Sequence, residues 1–177
     1  MLRCCRVTAL VILLAHPAVA AHGQTVNDPE ARLAQLGLSL PQPNAPVANY
    51  VRAVRAGNLL FLAGHGECGN SRLTGKVGGG VPLDSAYASA RRVGLCLLST
   101  LKAELGDLRK VKRVVRVLGM VNTTPDFTDH PRVINGVSDL LVAVFGERGR
   151  HARAAVGMNS LPFGMTVEIE MVVEIDD

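Results

Sequence analysis

Two residues near the C-terminus, Arg153 and Glu168, have the types and setting for anion recognition and proton transfer. Arg153 opens a run of small residues, Ala154-Ala155-Val156-Gly157, and a guanidinium there can grip a carboxylate through two parallel hydrogen bonds. Further on, Val167, Ile169, Met171, Val173 and Ile175 alternate with Thr166, Glu168, Glu170 and Glu174. That period of two makes a strand and puts Glu168 and Glu170 on the same face. The runs Arg153–Ser160 and Met165–Ile175, joined by Leu161-Pro162-Phe163-Gly164, read as a C-terminal hairpin. On spacing alone, the plainer reading of the pair is an Arg–Glu salt bridge across that hairpin.

Other candidate constellations are weaker. His65-Gly66-Glu67 has the H-x-E half of a zinc deaminase, but the P-C-x-x-C partner is missing and Cys68 and Cys96 do not supply it. No metal and no cofactor are expected, and His65 reads as a loop or pocket-rim residue. Gly78-Gly79-Gly80 lacks the Lys-Ser/Thr of a phosphate loop and reads as a turn. Arg148, Arg150, His151 and Arg153 form one basic cluster, and Lys110, Lys112, Arg113 and Arg116 another. Such runs usually form a solvated face. With four Phe, two Tyr and no Trp there is no stacking platform, so nucleic acid is not an expected partner.

The elements that must position Arg153 and Glu168 follow from periodicity. Residues 28–36 read as a short helix capped by Asp28 with Pro29 at its first position, followed by a proline-rich connector, Pro41–Pro46. Tyr50–Arg55 and Leu59–Ala63 flank a Gly57-Asn58 turn and read as a hairpin. Asp84–Gly106 is the clearest helix, with Asp84 as its cap; Ala90, Val93, Gly94, Leu97, Leu98, Leu101 and Leu105 form one apolar stripe. Val111–Val121 is a β-branched strand, and Pro131–Gly146 a second long helix whose apolar face holds Ile134, Val137, Leu141, Val144 and Phe145. The core order β-β-α-β-α-β-β predicts an α+β fold: one mixed sheet with two helices packed on a single face. The uncovered face invites a homo-oligomer.

Composition bounds the rest. The chain has 177 residues, 48% of them apolar and only 3% aromatic, so the core must be built from aliphatic side chains. No apolar run reaches the roughly 18 residues of a membrane span. Residues 1–20 read as a signal peptide: Arg3 and Arg6, the apolar stretch Val7–Ala15, then Ala18-Val19-Ala20 as a cleavage pattern. The expected product is exported, periplasmic or secreted, and its formal charge falls from +4 to +2 as Arg3 and Arg6 leave, which weakens any case for nucleic acid. It keeps Cys68 and Cys96, read as two separate buried thiols. Residues 27–46 then form the N-terminal helix and connector, and 47–177 the main domain.

The stretch from Arg153 to Glu170, RAAVGMNSLPFGMTVEIE, resembles the C-terminal signature of the RidA/YjgF family, also called the L-PSP endoribonuclease family: R-x-x-V, then L-P, then V-E-I-E. Tyr50 to Gly64 is similar to that family's Y-x-x-A-x-x-x-G-N-x-[ILV]-[FY]-x-S-G segment, and Asn135 matches its V-N on the second helix. The resemblance covers about residues 45–175. It implies a chorismate-mutase-like fold, a homotrimer with ligand clefts between subunits, and hydrolysis of reactive 2-imino acids to 2-keto acids and ammonia. It also implies that Arg153 holds the substrate carboxylate and that Glu168 handles the water and the departing nitrogen. The cleft would be lined by the backbones of Ala155 and Gly64, by His65 and Asn135, and by Tyr50 from a neighbouring subunit. A Glu crowded by a second carboxylate and partly desolvated suits proton transfer near neutral pH. A non-catalytic small-carboxylate binder and a ribonuclease are the alternatives that the same family raises. The family's Ser-Gly-Gln is Ala63-Gly64-His65 here, which removes a hydroxyl and an amide from the expected pocket.

Overall fold

A computed structural model describes residues 28–70 and 72–176; the signal peptide expected at 1–20 lies outside them. Helix α1 (Pro29–Gln35) starts as its sequence dictates: the Asp28 carboxylate accepts from the Glu30 and Ala31 amides at 3.0 and 3.2 Å. It packs Leu33 into the core, and Arg32 Nε donates to the Ala143 carbonyl at 3.0 Å. Strands β1 (Ala53–Ala56) and β2 (Leu59–His65) form an antiparallel hairpin whose turn puts Gly57 at φ 61°. β1 starts later than expected, so Tyr50 precedes the sheet.

Helix α2 (Leu83–Leu105) carries the predicted apolar stripe, with Gly106 left-handed at its end (φ 75°). Its cap position is Pro82 rather than Asp84, which lies inside the first turn and makes no capping bond. There its charge still suits the positive end of the helix. Strand β3 (Val111–Asn122), helix α3 (His130–Phe145), strand β4 (Ala152–Met158) and strand β5 (Val167–Ile175) follow.

The sheet order β1-β2-β5-β3-β4 corrects the expected C-terminal hairpin. β4 pairs with β3, parallel, after the α3 crossover, while β5 runs antiparallel between β2 and β3. The reason is burial. β5 carries five apolar residues on one face, all buried, and belongs at the centre; β4 is made of small, largely exposed residues and suits an edge.

Helices α2 and α3 cover one face of the sheet. Two glycines let them approach. A Cβ on Gly136 would lie 2.1 Å from the Tyr87 carbonyl oxygen, and one on Gly119 would lie 2.5 Å from Ile134 side-chain atoms. The fold is therefore α+β, a five-stranded mixed sheet with two long helices on one side. The other face is open, with Val54, Phe61, Val156 and Met158 exposed around its charged residues. Cys68 and Cys96, read above as separate thiols, are joined in a disulfide with Cα atoms 5.8 Å apart. The link ties the loop after β2 to α2, a proximity that sequence spacing could not reveal. Among the described residues, no helix is long and apolar enough to cross a membrane.

Gly136 faces backbone, which cannot swing aside as a side chain can. Gly136→Ala should lower unfolding free energy by about 3 kcal/mol, the upper end of overpacking costs. A shift of the urea midpoint at unchanged slope checks this; an unshifted midpoint contradicts the close helix contact.

Candidate functional site

The parallel register sets the first half of the site. Arg153 lies opposite Val117 and Ala155 opposite Gly119, so the Arg153 side chain emerges on the helix-covered face at the sheet edge. There Arg153 Nη1 donates to Asn135 Oδ1 at 2.8 Å and to Ser138 Oγ at 3.1 Å. Both acceptors are neutral. Among the described residues no carboxylate forms an ion pair with Arg153, whereas Arg92, Arg109 and Arg132 each have one. Asn135, singled out by the family motif, thus meets Arg153 directly, and Ser138 is an addition that sequence reading missed. The signal was available: positions 135 and 138 share a helix face.

Ser138 is itself held. Its hydroxyl lies 3.1 Å from His151 Nε2, and His151 Nδ1 lies 2.6 Å from the Gly149 carbonyl. A carbonyl can only accept, so Nδ1 carries the proton and the neutral ring's Nε2 accepts from Ser138. Burial lowers the His151 pKa, and the Arg153 charge lowers it further against the opposing Gly149 hydrogen bond, which favours this neutral tautomer. The serine oxygen then presents its lone pair to Arg153.

Glu168 forms the second half, on the open face beside Glu170 as the alternation predicts. Its carboxylate sits over the backbone of β2: a Cβ on Gly64 would lie 2.1 Å from Glu168 Oε1, so only glycine leaves that space. Burial raises the Glu168 pKa above its usual value and the neighbouring Glu170 charge raises it further. Beside Gly64 lies a cleft of about 310 Å³ lined by Tyr50, Arg52, Ala63, Met165 and Phe163 among others. Tyr50 and Gly64 of one chain line it together, whereas the resemblance implies a Tyr50 from a neighbouring subunit.

His65 lines the same cleft, but its ring is committed. Nδ1 lies 2.7 Å from the Ala63 carbonyl and Nε2 2.8 Å from Thr100 Oγ1 on α2. Burial lowers its pKa, partly offset by the Ala63 hydrogen bond, and Arg52 adds to the lowering; the neutral ring therefore fastens β2 to α2. Glu67, the other end of the H-x-E sequence, is only 5% exposed. It accepts from Ser89 Oγ at 2.6 Å, from the Leu73 amide at 3.2 Å and from the Arg92 guanidinium. Burial alone would raise its pKa, but Arg92, Ser89 and Leu73 together bring it below the usual value. Among the described residues, no cluster of three His, Cys, Asp or Glu side chains is placed to hold a metal ion.

Within one chain the two halves do not meet. Arg153 and Glu168 lie on opposite faces with β3 between their strands, about 10 Å apart on two strand spacings. The salt bridge read from a hairpin is therefore absent, because β4 and β5 are not neighbours.

The Glu168 environment predicts a titration. Glu170→Gln should lower the Glu168 pKa only partway, since burial is the larger cause. Because the folded pKa lies above the unfolded one, the stability that Glu168 contributes is full below about pH 4.5 and lost as pH rises through the raised value. Carboxyl ¹³C titration reads the first effect, and flattening of the stability profile over that window in Glu168→Gln reads the second. A Glu168 pKa at or below the ordinary value would contradict both.

The chain matches the model of the YjgF/chorismate-mutase-like endoribonuclease family over residues 30–175. It is 43% identical over 154 residues to Protein TCP17 of Trypanosoma cruzi, covering 83% of this chain and 94% of that one. A 2-iminobutanoate/2-iminopropanoate deaminase of Dermatophagoides farinae is 26% identical over 139 residues, covering 78% and 95% of the two chains. Among solved structures, the protein Atu1372 of Agrobacterium tumefaciens, described as of unknown function, superposes with a TM-score of 0.78 at 46% identity, covering 84% and 92% of the two chains. Motifs, fold and these likenesses agree: the chain belongs to the RidA/YjgF family.

Proposed function

We propose that this protein hydrolyses 2-imino acids to 2-keto acids and ammonia in a cleft completed between subunits of a homotrimer. The observation that carries the reading is the state of Arg153: a guanidinium oriented by two neutral oxygens, with no carboxylate partner among the described residues. Its charge is left for an anionic ligand, and a charge-assisted hydrogen bond is worth roughly 1.5–3 kcal/mol. The deaminase of Dermatophagoides farinae supports the reaction type, and the raised pKa of Glu168 supports a proton-transfer role.

In this reading an iminium carboxylate binds with its carboxylate on Arg153. Water adds to the C=N carbon, and the resulting carbinolamine collapses to the keto acid and ammonium: R–C(=NH₂⁺)–COO⁻ + H₂O → R–CO–COO⁻ + NH₄⁺. Glu168, as carboxylate, takes a proton from the water and returns it to the departing nitrogen. No metal or cofactor enters the scheme. Since Arg153 and Glu168 stand on opposite faces of one sheet, a second copy brings its own Arg153 edge to the Glu168 cleft. The open face around Phe61 and Val156 supplies the surface for that assembly.

The wild-type protein should speed loss of trappable imine generated by an amino-acid oxidase. Arg153→Ala should abolish the acceleration, and Arg153→Lys, which keeps charge but not the fork, should reduce kcat/KM by roughly tenfold or more. Ligand binding without turnover would leave a carboxylate binder; equal imine loss with and without protein sinks the enzyme reading. Light scattering should give three times the chain mass, and Phe61→Glu should shift it toward one. A monomeric wild type would leave the two halves of the site unjoined.

A further inference from the structure

We propose that Phe163 makes the cleft beside Gly64 selective for 2-imino and 2-keto acids carrying a bulky apolar side chain; this rests on the function proposed above and names its substrate class. Phe163 is the only non-glycine residue at positive φ among the described residues, at φ 56° and ψ 18° in the turn between β4 and β5. The turn needs a left-handed residue there, a conformation that glycine or asparagine adopts readily and phenylalanine rarely. The ring gains nothing from the core either, being 70% exposed. Neither turn geometry nor core packing accounts for a phenylalanine at this position. Such outliers cluster at ligand sites.

The surroundings say what the ring is for. Phe163 lines the cleft together with Val47 and Tyr50, both exposed, so three large apolar side chains border one cavity. The Arg72 guanidinium lies 5.5 Å from the Phe163 ring centroid, and this cation–π contact helps hold the ring in place. Asn44, Arg52, Asn70 and Arg72 add the polar side chains of the lining. Ala63 has no hydroxyl, and both His65 nitrogens are committed to Ala63 and Thr100. The Glu168 carboxylate packs against Gly64, which lines the cleft. At about 310 Å³ the cavity lies in the range of ligand pockets. It is far larger than the methyl group of a three-carbon acid requires. A ligand that fits has a carboxylate and a reacting C=N or C=O at one end and an extended apolar or aromatic group at the other, where it stacks on Phe163.

The test is calorimetry of the full protein with phenylpyruvate and with pyruvate, products of the two substrate classes. Wild type should bind phenylpyruvate roughly tenfold tighter or more, in the range that apolar pocket contacts provide. Phe163→Gly removes the ring while suiting the backbone, so the turn is kept. It should cut that preference to under about threefold while leaving pyruvate affinity within about twofold. Phe163→Leu should restore part of the preference. Equal affinity for the two acids in wild type, or an unchanged preference in Phe163→Gly, overturns the inference and leaves the proposed function standing. Binding of neither acid overturns both.

Discussion

The close approach of helix α3 to strand β3 is the constraint on which the candidate site depends. Gly119 has no side chain, and Ile134 settles into the space it leaves. That seat brings the next residue, Asn135, and Ser138 one turn on, to the edge of the sheet where the parallel partner strand presents Arg153. Gly136 repeats the device on the far side of α3, where the helix meets the backbone of α2. Close packing thus converts two missing side chains into the position of one guanidinium, because a tightly packed interior transmits displacement rather than absorbing it.

The charged groups of the fold divide according to how they are satisfied. Glu67 is buried with Arg92, Ser89 and the Leu73 amide around it, and His65 has both nitrogens bonded. These groups anchor the loop after β2 and the end of β2 to α2, because a buried polar group costs stability unless it is paired. Arg153 and Glu168 follow a different rule. One is a cation held only by neutral oxygens, and the other a carboxyl held above its usual pKa by burial and by Glu170. Such pairing with neutral groups, and such like-charge crowding, does little for stability and is what a ligand site requires.

The open face of the sheet follows from the same asymmetry. Both long helices lie on one side, which leaves Val54, Phe61, Val156 and Met158 to solvent in the single chain. An apolar strip of this kind is the setting in which a second copy adds both burial and chemistry. Its residues lie on β1, β2 and β4, to either side of β5, whose Glu168 and Glu170 share that face, so whatever covers it also encloses those carboxylates.

Local pattern by itself determined most of the elements. The Asp28 cap, the Gly57 turn, the stripe on α2 and the alternation of β5 are each dictated by interactions within a few residues, and each is found in the fold. The alternation also placed Glu168 beside Glu170, and family motifs singled out Asn135, Gly64 and Tyr50. Tertiary structure decided what lies beside what. Two strands close in sequence are not a hairpin, because the more apolar one gains more burial at the centre of the sheet and the other is carried past it by α3. For the same reason Cys68 meets Cys96, and His65 is spent on Thr100. Arg153 and Glu168 were legible as residues with chemistry to do. That they stand on opposite faces of one sheet, with no bond between them, was set by pairing across the whole chain, which no local spacing encodes.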